Sequence, residues 1–264
     1  MKIVLLGSGN VATHLGPALK EAGHQILQVW SRSEANAKIL ANKLGVGTEV
    51  IGQLATVNMN ADMYLIAVND KAIREVAEAL SLSIGDRLLV HTSGSTDITL
   101  FDGLSSTFGV MWPIQTFSKI KSVDFKRIPI AIEGSSVIVT ATLRTIAQSL
   151  SEKVVEMSAV QRTFFHIAAV FACNFTNHLY HLADQILQDQ QLDFDMLRPL
   201  ILETAEKIQT NRPIGAQTGP AIRGDQHILD KHLALLKDNP IALELYRKIS
   251  ECIMQSRDHI QSTR

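Results

Sequence analysis

Six residues near the amino terminus, Gly7-Ser8-Gly9-Asn10-Val11-Ala12, have the types and spacing to hold a phosphate. Glycine at the first place permits a tight turn, and glycine at the third lets the backbone approach a pyrophosphate. A small sixth residue lets a helix pack on its strand. The apolar run Ile3–Leu6 leads into Gly7, and a helical pattern follows at once. Free N–H groups and the positive end of a helix dipole would then face the anion. The plainer alternative is a strand–turn–helix whose small residues only ease packing.

The end of the second apolar run bears on which nucleotide this is. An NAD-binding domain typically places Asp or Glu there to hold the ribose 2′-hydroxyl. This chain reads Gln28-Val29-Trp30-Ser31-Arg32-Ser33, and the nearest acid is Glu34. Arg32 offers a planar, permanently charged fork suited to a phosphate dianion, and Ser31 adds a hydroxyl. The pattern points to NADP(H); an exposed arginine in a surface loop is the alternative. Val68 and Asn69, at the end of the run Met63–Val68, are expected beside the cofactor, because strand carboxyl ends line such clefts. The turn His91-Thr92-Ser93-Gly94-Ser95 ends the next strand on the same rim. Ser93 is a candidate catalytic group there, or the holder of a capped turn.

Two further clusters carry polar chemistry. Thr218-Gly219-Pro220 reads as a helix start, with Arg223 and Asp225 close behind. Arg223 is placed to clamp a substrate carboxylate or phosphate, or to pair with Asp225 and hold the loop. His178-x-x-His181-x-x-Asp184 fans around a helix without sharing one face and lacks an HExxH base, so no metal is expected.

These groups need a scaffold. Ile3–Leu6, Ile26–Trp30, Met63–Val68, Leu88–His91, Phe108–Met111, Ile130–Ile132 and Val154–Met157 read as strands. Val11–Ala22, Glu34–Leu44, Lys71–Leu80 and Thr140–Ser151 read as helices between them. Such alternation predicts an α/β, doubly wound, mostly parallel sheet. After Met157 the pattern is helical throughout, with one helix from Ala159 to about Gln190. The division is therefore expected as residues 1–157 and an all-α domain over 158–264. A formal net charge of -1 with no basic patch gives no reason to expect nucleic acid or an anionic membrane. Cys173 and Cys252 form no CxxC pair, and no signal-peptide layout or membrane-length apolar window is visible. A soluble, cytoplasmic protein is expected.

The glycine loop with Ser31-Arg32, the HTSGS turn and the helical second half resemble the superfamily of 6-phosphogluconate dehydrogenase, ketopantoate reductase and pyrroline-carboxylate reductase. Trp112–Phe117, Pro129–Gly134, His166–Asn174 and Thr218–Asp225 are similar to a bacterial family of oxidoreductases with no agreed substrate. There a Rossmann-like domain precedes a helical domain of unknown function. The resemblance implies that fold and an NADP-type cofactor. Relatives in the superfamily keep a lysine and an asparagine on the first long helix of the second domain. Here that stretch holds no lysine; His166 occupies the region, with Asn174 further on.

On a regular helix Cys173 and Asn177 fall within about 20° of His166, with Asn174, His178 and His181 roughly 60–120° to one side. His166 could pass a proton and Asn174 could orient substrate or nicotinamide, unless these polar groups only pair between helices. The combined expectation is an NADP(H)-dependent oxidoreductase acting on a small polar substrate in an interdomain cleft. An NADP(H)-binding sensor or scaffold without turnover is the alternative. The long helix, with Phe164, Phe165, Phe171 and Phe175, also predicts a homodimer.

Overall fold

The computed structural model describes residues 1–262, which form two compact units, Met1–Cys173 and Asn174 onward. The first is built on eight strands: β1 (Lys2–Leu6), β2 (Gln25–Trp30), β3 (Glu49–Ile51), β4 (Met63–Ile66), β5 (Leu88–His91), β6 (Phe108–Pro113), β7 (Ile130–Gly134) and β8 (Val154–Glu156). They lie in the order β3-β2-β1-β4-β5-β6-β7-β8. Every pair is parallel except β6 with β7. This is the doubly wound sheet that the alternating pattern predicts.

The central strands are apolar throughout because both their faces are covered. In β1, Ile3 and Leu5 join one buried cluster, which contains residues of α1 (Asn10–Glu21), α2 (Glu34–Leu44) and α4 (Val137–Leu150). Val4 and Leu6 join the other, with residues of α3 (Ile73–Ile84) and with Phe101. Period two thus sends neighbouring side chains into two cores. The strand the sequence pattern misses is β3, three residues long and at the sheet edge, too short to show a period.

After β8, Ser158 starts α5 (Ala159–Ala169) with a reciprocal capping box to Gln161. The expected unbroken helix is instead α5, a π-helical segment over Val170–Phe175, and α6 (Thr176–Asp189). A π turn takes up an extra residue, so faces computed at 100° per residue do not carry across it. The grouping of Cys173 and Asn177 with His166 fails for that reason. The boundary between the two compact units falls inside this segment.

The second unit contains α6, α7 (Arg198–Thr210), α8 (Pro220–Arg223), α9 (Gln226–Leu235) and α10 (Pro240–Ser262). Pro199 sits in the first turn of α7, where its missing N–H removes no helix bond. No helix among the described residues is long and apolar enough to cross a membrane.

Candidate functional site

Sheet register sets the site. Leu6 is paired with Trp30 and with Ile66, and Ile66 is paired with His91. Four strands therefore end in one row, and the segments after them leave the sheet along one rim. Strand order reverses between β1 and β4, where an open α/β sheet leaves a crevice.

That rim holds a cavity of about 400 Å³. Its wall includes Gly7, Ser8, Gly9, Asn10 and Val11 from the first segment and Ser31 and Arg32 from the second. Val68, Asn69 and Thr92 come from the next two. All nine residues singled out as cofactor-binding from the sequence thus meet in one space.

The two glycines are needed for different reasons. Gly7 has φ +128°, and a Cβ there would lie 2.1 Å from the Ala67 carbonyl oxygen. Its N–H donates to the Trp30 carbonyl at 2.7 Å, which ties the loop to β2. Gly9 has an ordinary φ of -74°, and a Cβ there would meet no protein atom within 4 Å. The room beside Gly9 is open, as the approach of a phosphate to the start of α1 requires. The loop therefore fits a phosphate group at the start of α1.

The polar side chains divide between structure and free capacity. Ser8 is buried and donates to Ser31 Oγ at 2.8 Å. The Asn10 amide donates to the Phe117 carbonyl at 3.0 Å, and the Asn69 side chain accepts from Ala72 N–H at 3.1 Å. These asparagines shape the wall through bonds already made. Arg32 is exposed and has no ion-pair partner among the described residues. Glu34, the acid nearest to it in sequence, pairs with Lys38 at 2.6 Å within α2. Among the described residues, the cavity wall carries Arg32 and Lys119 and no carboxylate. Sequence reading missed Lys119, because only the folded loop after β6 brings it here.

Beside Thr92 the rim becomes aromatic. Gly94 lies flat on Trp112, and a Cβ there would come 2.4 Å from the indole. Trp112 meets Phe165 and His166 of α5 edge-on, with centroids 5.9 and 6.2 Å away. His166 is exposed on this side of the first unit. Ser93 is buried, and its Oγ accepts from Thr96 N–H at 3.2 Å and from the Thr96 hydroxyl at 2.8 Å. Those bonds close the turn.

Two buried groups hold this corner. His91 Nδ1 accepts from Ser93 N–H at 3.1 Å, while Nε2 has no partner among the described residues. Burial, followed by the charge of Arg162, pushes the His91 pKa down to about 3, against opposing effects of Asp70 and Asp97. The imidazole is neutral at ordinary pH. Arg162 is fully buried; it pairs with Glu133 and donates to the carbonyls of Met157 at 2.9 Å and Thr96 at 3.1 Å. It fastens α5 to the turn after β5. An arginine early in an amphipathic helix reads as surface, so the sequence hid it; the acid Glu133 ending an apolar strand was the available signal.

Asn174 and Arg223 belong to the second unit, and both are exposed there. Arg223 lies 3.8 Å from the Asp225 carboxylate, a loose, wet pair. His178 and His181 have ring centroids 6.0 Å apart. Among the described residues, no group of three or more His, Cys, Asp or Glu is placed to hold a metal.

A glycine loop entering a helix at the reversal point of a doubly wound sheet defines a Rossmann-type nucleotide-binding protein. Residues 2–94 match the model described as NADP oxidoreductase, coenzyme F420-dependent. Residues 128–253 match a domain of unknown function, DUF2520. A Bacteroides fragilis structure provisionally titled an NADP oxidoreductase is 43% identical, with 96% of this chain and 98% of that one covered and a TM-score of 0.88. The chain belongs to this family of NADP oxidoreductases with a DUF2520 carboxyl-terminal domain, and NADP is the family's cofactor.

Structural likeness at lower identity concerns the fold alone. An imine reductase from Myxococcus stipitatus, in complex with NADP+, is 14% identical, with 99% of this chain and 95% of that one covered and a TM-score of 0.62. Glycerol-3-phosphate dehydrogenase [NAD(P)+] of Staphylococcus saprophyticus is 32% identical over 104 residues, 35% of this chain. The match spans 31% of that enzyme's length.

Proposed function

We propose that this protein is an NADP(H)-dependent oxidoreductase for a small polar substrate, with the dinucleotide held in the cavity over β1 and β4. The observation that carries this is the wall itself: a glycine loop opening a helix, two cations and no carboxylate. Bound NADP(H) supplies or accepts the hydride.

The chain's own residues do the rest. Backbone N–H groups from Gly9 to Val11 hold the pyrophosphate, aided by the dipole of α1. Ser31 and Arg32 hold the 2′-phosphate, and Val68, Asn69 and Thr92 line the path toward Trp112. His166, exposed beside Trp112, holds the proton that accompanies hydride transfer. Ser93 keeps the turn that seats Trp112. Asn174 orients the substrate, and Arg223, only loosely paired with Asp225, binds its carboxylate or phosphate.

We further propose a homodimer through the second unit, working in the cytoplasm. Cys173 and Cys252 are exposed free thiols, which suits a reducing compartment. One observation favours binding without turnover: no lysine occurs between Ala159 and Asp189.

The test begins with mass spectrometry of small molecules released from the purified protein, alongside thermal melts with NADPH. NADP(H) release and a raised melting temperature are expected. NADPH oxidation is then followed across a panel of oxo and imino acids. A different nucleotide in the cavity would contradict the reading. NADPH binding with no turnover on any substrate would support the sensor instead.

A further inference from the structure

We infer that Lys119 is a second cation of the cofactor site, placed at the pyrophosphate. The inference rests on the reading of the cavity given above. Lys119 lies in the long connection between β6 and β7, far in sequence from the glycine loop, yet it lines the same cavity as Gly9, Asn10 and Arg32.

The two residues before it are tied to α1. The Asn10 amide donates to the Phe117 carbonyl at 3.0 Å. His14 Nε2 lies 2.8 Å from the Ser118 carbonyl, which can only accept, so the imidazole is the donor. The His14 and Phe117 rings stack with centroids 5.4 Å apart, and Phe117 stacks on the buried Phe125 at 5.9 Å. Asn10 is the first residue of α1 and His14 lies one turn on. The connection is thus pinned to the end of the helix whose backbone N–H groups lack partners.

Charge chemistry assigns the phosphate. Lys119 makes no ion pair among the described residues, so its charge is not committed to an acid. An ammonium on a flexible stem suits a pyrophosphate, whose charge is spread over two groups. A planar guanidinium suits the terminal 2′-phosphate. Arg32 would then discriminate between cofactors, while Lys119 would strengthen both.

The experiment is calorimetric titration of NADPH and NADH into the wild type and into Lys119→Ala, Lys119→Arg and Arg32→Ala. Lys119→Ala is expected to weaken both cofactors by the same factor, about three- to tenfold for one exposed charge contact. The loss shrinks as salt rises, and Lys119→Arg keeps most of the affinity. Loss confined to NADPH would put the lysine at the 2′-phosphate and overturn the assignment, as would no loss with either cofactor. A wild type that binds neither dinucleotide would overturn the cavity reading and this inference together. An unchanged cofactor preference in Arg32→Ala, with equal losses in Lys119→Ala, would fault only the role of Arg32.

Discussion

The two units are both rich in apolar residues and dispose of them differently. In the first, the residues of β1 and β4 from Ile3 to Leu6 and Met63 to Ile66 are completely buried, between two separate clusters. In the second, the buried hydrophobics among the described residues are Leu182, Ala221, Leu229 and Ala242. Phe175, Leu200 and Leu202 stand exposed, at 50%, 63% and 58%. A sheet covered on both faces supplies its own core. A set of helices with this little buried surface does not, and exposed apolar area on this scale supports the proposed association. The first unit is accordingly the natural place for a rigid binding site, and the second for association.

The largest effect that can break this comparison is catalytic. His166, on the first unit beside Trp112, is expected to carry the proton. His166→Ala should bind NADPH normally and lose turnover by about 10²- to 10⁴-fold, the usual scale for general acid–base catalysis. Asn174→Ala, in the second unit, should cost less because it orients and does not transfer. Steady-state rates on a substrate found by the panel decide this. A larger loss in Asn174→Ala would move the chemistry to the second unit.

Next comes the rigidity of the first unit. Gly7→Ala forces a side chain into a left-handed backbone and against the Ala67 carbonyl. Destabilisation on the order of 3 kcal/mol is expected in denaturant unfolding, with loss of NADPH binding. A variant as stable as the wild type would show that the loop is softer than its packing indicates.

Association is tested by sedimentation. The second unit predicts a dimer at micromolar concentration, and Leu200→Asp should shift it toward monomer. A monomeric wild type would remove the proposed role of the exposed helix faces.

A further effect concerns pH. His91 titrates near 3 in the folded protein, below its ordinary value of 6.5. Between those values the unfolded chain binds more protons, so stability falls as pH drops from about 6.5 toward 3. His91→Gln should flatten that slope in unfolding measured across this range; an unchanged slope would mean the imidazole is not held neutral.

What could be read from the sequence follows from how local each feature is. Strands buried on both faces appear as apolar runs, and the glycine loop announces itself by its place between a strand and a helix. Arg32 was legible because its position is fixed by the end of β2. Features made by contacts remote in sequence were not. Lys119 reaches the cavity only because Asn10 and His14 hold its loop, and Arg162 looks like a surface charge until Glu133 is seen to pair with it. The π segment at Val170–Phe175 leaves no compositional mark, so faces predicted from a straight helix slipped there.

The central claim is that the cavity distinguishes NADPH from NADH through Arg32. Its most direct test is titration of both cofactors into wild type and Arg32→Ala, read by calorimetry or by the fluorescence of Trp30, which lines the cavity. The wild type should prefer NADPH. Arg32→Ala should lose about 1.5–3 kcal/mol of NADPH binding, roughly ten- to a hundredfold, with NADH little changed. Equal weakening of both cofactors, or no weakening of either, would contradict the assignment of Arg32 to the 2′-phosphate.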